Sequence, residues 1–218
     1  MMSLSSFKKI IGLFILFVTV MVAARIIYTG SIRYISILWN LFLAWTPFQV
    51  SLLISAYSTL KNPKPLLILT GWLLFFPNAL YVVTDLIHLE DAGGVPLWYD
   101  AIMLFMAALS GLLLAFASLY KVEKFLRKQI SSSLVTDPIV LFILFLSSFG
   151  VYLGRFDRWN SWDIVVYPKQ LSKDIASYIF SPVYHYRTWI TTLIFTAFFS
   201  LLYFAVKKIP GSFTKPGM

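Results

Sequence analysis

Four polar side chains recur along one apolar stretch of the chain. Asn78, Tyr81, Asp85 and His88 follow Phe76-Pro77 at steps of three, four and three residues. On an α-helix that spacing puts all four on one face, and Gly71 and Leu74 continue the face inward. An aspartate and a histidine one turn apart can donate and accept protons, so Asp85 and His88 are candidate catalytic residues. The same Asp85-x-x-His88 spacing could hold two sites of a divalent cation, with the remaining ligands drawn from Asp100, Asp157 or Asp163. Two ligands do not make a metal centre, and no metal is assigned. A carboxylate inside a bilayer costs about 2.5–3.5 kcal/mol on insertion scales, so this stripe must face protein or water. Pro77 removes one backbone donor and is expected to kink the helix just before the stripe begins.

A second polar cluster lies further on. Arg155, Asp157, Arg158, Asn160, Ser161 and Asp163 crowd nine residues around Trp159 and Trp162. Arginine can clamp a carboxylate or phosphate with two hydrogen bonds, so Arg155 and Arg158 are candidates for holding an anionic ligand. Asn160, Asp163, Asn78 and Tyr81 complete the candidate binding set, and Asp100, after Trp98-Tyr99, joins the candidate catalytic set. Glu90, Asp91 and His185 lie in the same loops. A structural reading competes with the functional one: Asn78 and Tyr81 as interhelical hydrogen bonds, and Asp85 or Asp100 in an ion pair with Arg155 or Arg158. Serine triads, P-loops, nucleotide fingerprints and zinc-protease motifs are absent from the sequence.

The elements that position these residues are long and apolar. The chain has 218 residues, 59% hydrophobic and 12% charged, and a mean hydropathy of +0.81. Soluble domains carry roughly 25% charged residues. About 20 apolar residues cross a bilayer, and six segments qualify: residues 10–28, 34–57, 66–86, 97–120, 139–156 and 189–206. Lys8-Lys9 before an apolar run also suits a signal peptide, but Ala23-Ala24 is a poor cleavage site and Arg25 follows at once. Breakers separate the later spans: Asn62-Pro63-Lys64-Pro65, Gly93-Gly94 and Asp137-Pro138. No internal repeat or separate soluble domain is visible, so residues 1–218 are read as one integral membrane domain. The expected fold is an all-α, polytopic transmembrane bundle of six spans.

Small residues mark the seams within this bundle. Gly150 and Gly154 form a GxxxG step after Ser147, and Ala107, Gly111 and Ala115 offer a matching seam on the fourth span. Asn40, Ala44, Pro47, Ser51, Ser55 and Ser58 line a broad small or polar face of the second.

Charge sets the expected orientation. With the N-terminus inside, eleven of the eighteen basic residues fall on the cytoplasmic side, among them Lys8, Lys9, Lys121, Lys124, Arg127 and Lys128. That basic bias predicts an N-in/C-in topology with both polar clusters on the outer face, and seven of the nine acids then fall outside, although acids carry little topogenic weight. Trp39, Trp98, Trp159, Trp162 and Trp189 would mark the outer interface. The net charge of +9 then reflects topology and contact with anionic lipids at the cytoplasmic face rather than nucleic acid. The absence of cysteine excludes disulfides, thiolate metal sites and cysteine nucleophiles. In the last outer loop Leu171, Ile175, Tyr178 and Ile179 recur at helical spacing between Pro168 and Pro182, which predicts a short amphipathic helix on the outer membrane surface.

These stretches resemble a bacterial integral-membrane family known as domain of unknown function 1361. The resemblance rests on Pro77-Asn78-Ala79 through Tyr81, on Thr84-Asp85-Leu86 and His88-Leu89, on Pro96-Leu97-Trp98-Tyr99-Asp100, on Tyr152-Leu153-Gly154-Arg155-Phe156, and on Arg158-Trp159-Asn160-Ser161-Trp162-Asp163. Leu80 stands where the family pattern commonly has proline, a departure that touches helix shape more than chemistry. The resemblance implies a multi-span membrane protein, expected in the bacterial cytoplasmic membrane, and it supplies no activity.

Three functions stay open. One is a non-catalytic envelope partner or assembly factor with a polar site at the outer face. A second is a membrane-embedded enzyme on a lipid-linked or envelope substrate, with Asp85 or His88 as acid or base and the arginines as anion clamp. A third is a small-solute or ion transporter, against which no inverted repeat is found. The residues identify no cofactor.

Overall fold

The computed structural model describes residues 3–57, 63–90, 94–130 and 132–213. Of the residues named above, Ser58, Asn62, Asp91 and Gly93 lie outside this set. The described chain is all-α: α1 (Leu4–Thr29), α2 (Ser36–Ile54), α3 (Pro63–Tyr81), a 3-10 segment (Val82–His88), α4 (Leu97–Gln129), α5 (Ser133–Phe156), α6 (Asp163–Val166), α7 (Pro168–Phe180) and α8 (Tyr186–Phe213). Six of these are long and apolar enough to cross a membrane, the 3-10 segment extending α3 to His88. They correspond one for one to the six segments read from the sequence. The helices sort into two compact units, Met1–Gln129 and Ile130–Met218.

The first unit is organised around α4, which buries the largest share of its span. Its seam residues Ala107 and Ala115 are fully enclosed. A Cβ on Gly111 would stand 2.8 Å from the Ala79 carbonyl oxygen and 2.9 Å from the Val82 Cβ. The glycine therefore lets α4 meet the end of α3 backbone to backbone, as small residues do between membrane helices.

The small and polar face of α2 is also a seam, with Ala44, Pro47 and Ser51 buried. Trp72 of α3 donates its indole N–H to Ser118 Oγ at 2.7 Å, and Ser118 donates to the Pro47 carbonyl at 2.9 Å. That relay satisfies three polar groups in a setting without water, where each would otherwise be costly.

Helix ends follow local rules. Ser3 caps α1 by accepting the Ser6 N–H at 3.1 Å. Gly30 ends α1 in the left-handed region (φ 67°), and its N–H returns to the Ile26 carbonyl at 2.8 Å. Pro77 lies inside α3 without ending it. The winding changes from α to 3-10 after Tyr81.

In the second unit α5 packs on α8. Phe145 and Phe149 stack nearly parallel on Trp189, with ring centroids 6.3 and 5.6 Å apart. Buried Ser147 and Ser148 return their hydroxyls to the Ile143 and Leu144 carbonyls of their own helix. The helix expected between Pro168 and Pro182 is α7. Leu171 is its buried anchor, whereas Ile179 and Phe180 are exposed.

Candidate functional site

In the first unit the polar residues gather where α1, α2, the 3-10 segment and α4 end or begin. The stripe does not run as one α-helical face. Asn78 and Tyr81 occupy the last turn of α3, whereas Asp85 and His88 sit on the 3-10 segment. At three residues per turn, Asp85 and His88 share a face. A four-residue step at that pitch turns about 120° past alignment, so Tyr81 and Asp85 diverge.

Asp85 is buried at 4% exposure and accepts the Asn40 side-chain amide at 2.8 Å. His88 is exposed, and its carbonyl accepts the Tyr34 hydroxyl at 2.9 Å. Asp85, His88 and Leu104, with Arg33, Tyr34, Ser36 and Ile37, enclose a recess of about 200 Å³. Asn78 and Tyr81, each half-buried, lie outside that lining.

Asp100 is engaged by a cation of the first helix. Arg25 Nε donates to Asp100 Oδ1 at 2.7 Å, and a terminal guanidinium nitrogen donates to Oδ2 at 3.1 Å. Both side chains are almost wholly buried, at 3% and 4% exposure. The Arg25 guanidinium also lies 4.6 Å from the Tyr34 ring centroid. Next to the pair, Tyr99 donates its hydroxyl to the Met21 carbonyl at 2.8 Å. Sequence alone offers Asp100 to Arg155 or Arg158. The signal that could have found the pair is the position of Arg25 one turn inside the first span, where a charge needs a partner. Glu90 pairs with Arg33 at the rim.

The second unit carries its own polar cluster. Asp163 Oδ2 accepts the backbone N–H of Asn160 at 2.7 Å and its side-chain amide at 3.3 Å. These two candidate binding residues therefore close a tight turn on each other. Arg158 is exposed and holds a left-handed backbone (φ 61°), a conformation usually left to glycine or asparagine. The turn lets the Trp159 N–H reach the Leu153 carbonyl at 3.1 Å and closes the end of α5. Arg155 is half-buried in the last turn of α5.

Asp157, a member of the second polar cluster, anchors α7 by accepting the Tyr178 hydroxyl at 2.8 Å. Trp159 donates to Asp174 at 3.2 Å, and Trp189 donates to the Tyr178 carbonyl at 3.1 Å. His185 meets the Tyr178 ring edge-on at 4.7 Å. Burial pushes the Asp157 carboxyl above its ordinary 3.8; the Tyr178 hydrogen bond opposes this, Asp174 adds to it and His185 opposes it. Burial likewise raises the Tyr178 hydroxyl, and donation to Asp157 raises it further.

A pH dependence follows. A carboxyl with a raised folded pKa favours the folded state fully below its unfolded value and loses that contribution as pH climbs through the folded value. The melting temperature of the wild-type chain in detergent should therefore fall relative to Asp157→Asn as pH rises from about 3.8, the ordinary value. A flat difference across that range would show that burial of Asp157 costs nothing.

Among the described residues no three His, Asp or Glu side chains converge as a metal site. The profile of a family described as "Protein of unknown function (DUF1361)" matches residues 39–202, three quarters of the chain. The chain belongs to that family. No curated protein and no solved structure matches it.

Proposed function

We propose that this DUF1361 protein is a non-catalytic partner or assembly factor of the bacterial cytoplasmic membrane, in an N-in/C-in topology with its polar clusters on the outer face. The observation that carries this reading is the engagement of its carboxylates. Asp100 gives both oxygens to Arg25, and Asp85 is buried against the Asn40 amide. A general acid or base must reach a reacting proton, and a carboxylate held in a buried bidentate pair is poorly placed to do so. The recess size supports the same reading. At about 200 Å³ it falls short of the roughly 300–1,000 Å³ of small-molecule sites. It suits one side chain or small polar group of another envelope component, met by exposed His88 and by Arg33.

The test is a photo-crosslinking side chain at Ser36, on the recess wall, in intact cells. The expected result is a discrete protein adduct, reduced at least about fivefold by His88→Ala at unchanged chain abundance, a loss equal to about 1 kcal/mol of binding. An adduct with lipid alone would support an enzyme of lipid-linked substrates. An adduct indifferent to His88 would remove the recess as a recognition site.

A further inference from the structure

The opposite end of the first unit holds a second, larger cavity with a different character. It measures about 370 Å³ and lies among the start of α1, the end of α2 and the last turns of α4. Lys121, Lys124 and Lys128 line one side, at helical spacing on α4. Phe7, Phe48 and Phe125 line another, with the Phe7 and Phe48 rings 5.3 Å apart. Ser3, Ser55 and Tyr57 also line the cavity. The lining contains no carboxylate. Glu123, the acid nearest in sequence, is buried and bound to Arg127 at 2.6 Å. Among the described residues none of the three lysines forms an ion pair with a carboxylate.

Charge and shape together select the ligand. Lys8 and Lys124 lie close enough to Lys121 to repel its charge, a repulsion that a bound anion would relieve. The amino end of α1 contributes Ser3 and Leu4 to the wall, and its first turn contains no acidic residue to neutralise the helix dipole. A small hydrated anion would use the lysines and hydroxyls but leave the aromatic side uncovered. A phosphate carrying an apolar chain would use both. We infer that this cavity binds the phosphate headgroup of an anionic phospholipid, with Lys121, Lys124 and Lys128 around the phosphate and the phenylalanines against the upper acyl chain.

The test is native mass spectrometry of the full chain in detergent, offered phosphatidylglycerol, phosphatidylcholine or inorganic phosphate. The wild type should retain one phosphatidylglycerol in preference to phosphatidylcholine, and millimolar phosphate should not displace it. Lys121→Gln with Lys124→Gln should weaken retention about thirtyfold, at roughly 1 kcal/mol for each lysine. Lys169→Gln with Lys173→Gln removes the same charge from α7 and should change nothing. Lys124→Glu, at an exposed position, should weaken retention without lowering the melting temperature. Equal loss in both double variants, equal retention of phosphatidylcholine, or displacement by phosphate alone would overturn the assignment.

Discussion

Asp100→Ala is expected to destabilise the protein by about 3–5 kcal/mol, because it strands the Arg25 guanidinium in a buried, water-poor setting. The pair is bidentate, at 2.7 and 3.1 Å, with both partners under 5% exposed. Two unit charges about 4 Å apart attract by about 4 kcal/mol at an effective dielectric near 20. The loss should appear as a lower melting temperature in detergent and reduced abundance in cells. Removing both charges is a different experiment. Arg25→Leu with Asp100→Leu should recover most of the loss, since a buried pair replaced by apolar groups is often neutral. If the double variant were as damaged as the single one, the pair would do more than neutralise itself, and Tyr34 beside Arg25 would be the first place to look.

Gly111→Val is expected to have the next largest effect. The first added carbon alone would meet the Ala79 carbonyl oxygen at 2.8 Å, which is backbone and cannot rotate away. α4 would have to separate from the end of α3, and that end carries Asp85 and His88. Overpacking of this kind costs about 1–3 kcal/mol or more. Gly71→Ala is the matched comparison, because nothing lies within 4 Å of its added carbon. That substitution should be neutral or stabilising by up to about 1 kcal/mol through helix propensity. Similar losses at both glycines would mean that helix propensity, not the α3–α4 approach, governs these positions.

The two variants also show which features the sequence makes legible. Spans are local: twenty apolar residues announce themselves whatever they pack against, and all six segments correspond to helices. The α7 helix was legible for the same reason, from its apolar spacing and flanking prolines. Pairing is not local. Arg25 and Asp100 are 75 residues apart, and nothing near either one names the other. Asn40 lies on the small and polar face of the second span, and its hydrogen bond to Asp85 depends on how α2 lies against the 3-10 segment. The change from α to 3-10 winding after Tyr81 left no composition signal, because Val82-Val83-Thr84 is compatible with either. That change separates Asn78 and Tyr81 from Asp85 and His88 and narrows the candidate recess to the latter two.

In the proposed topology the end of the first unit bearing Asp85 and His88 opens to the outer side and the lysine-lined end to the cytoplasm. The sequence contains no cysteine, so single substitutions His88→Cys and Lys124→Cys, both at exposed positions, report on the two ends without background. In intact cells an impermeant thiol reagent should label His88→Cys at once and Lys124→Cys only after permeabilisation. Immediate labelling of Lys124→Cys with protection of His88→Cys would reverse the topology and remove the basis for an outward recognition site.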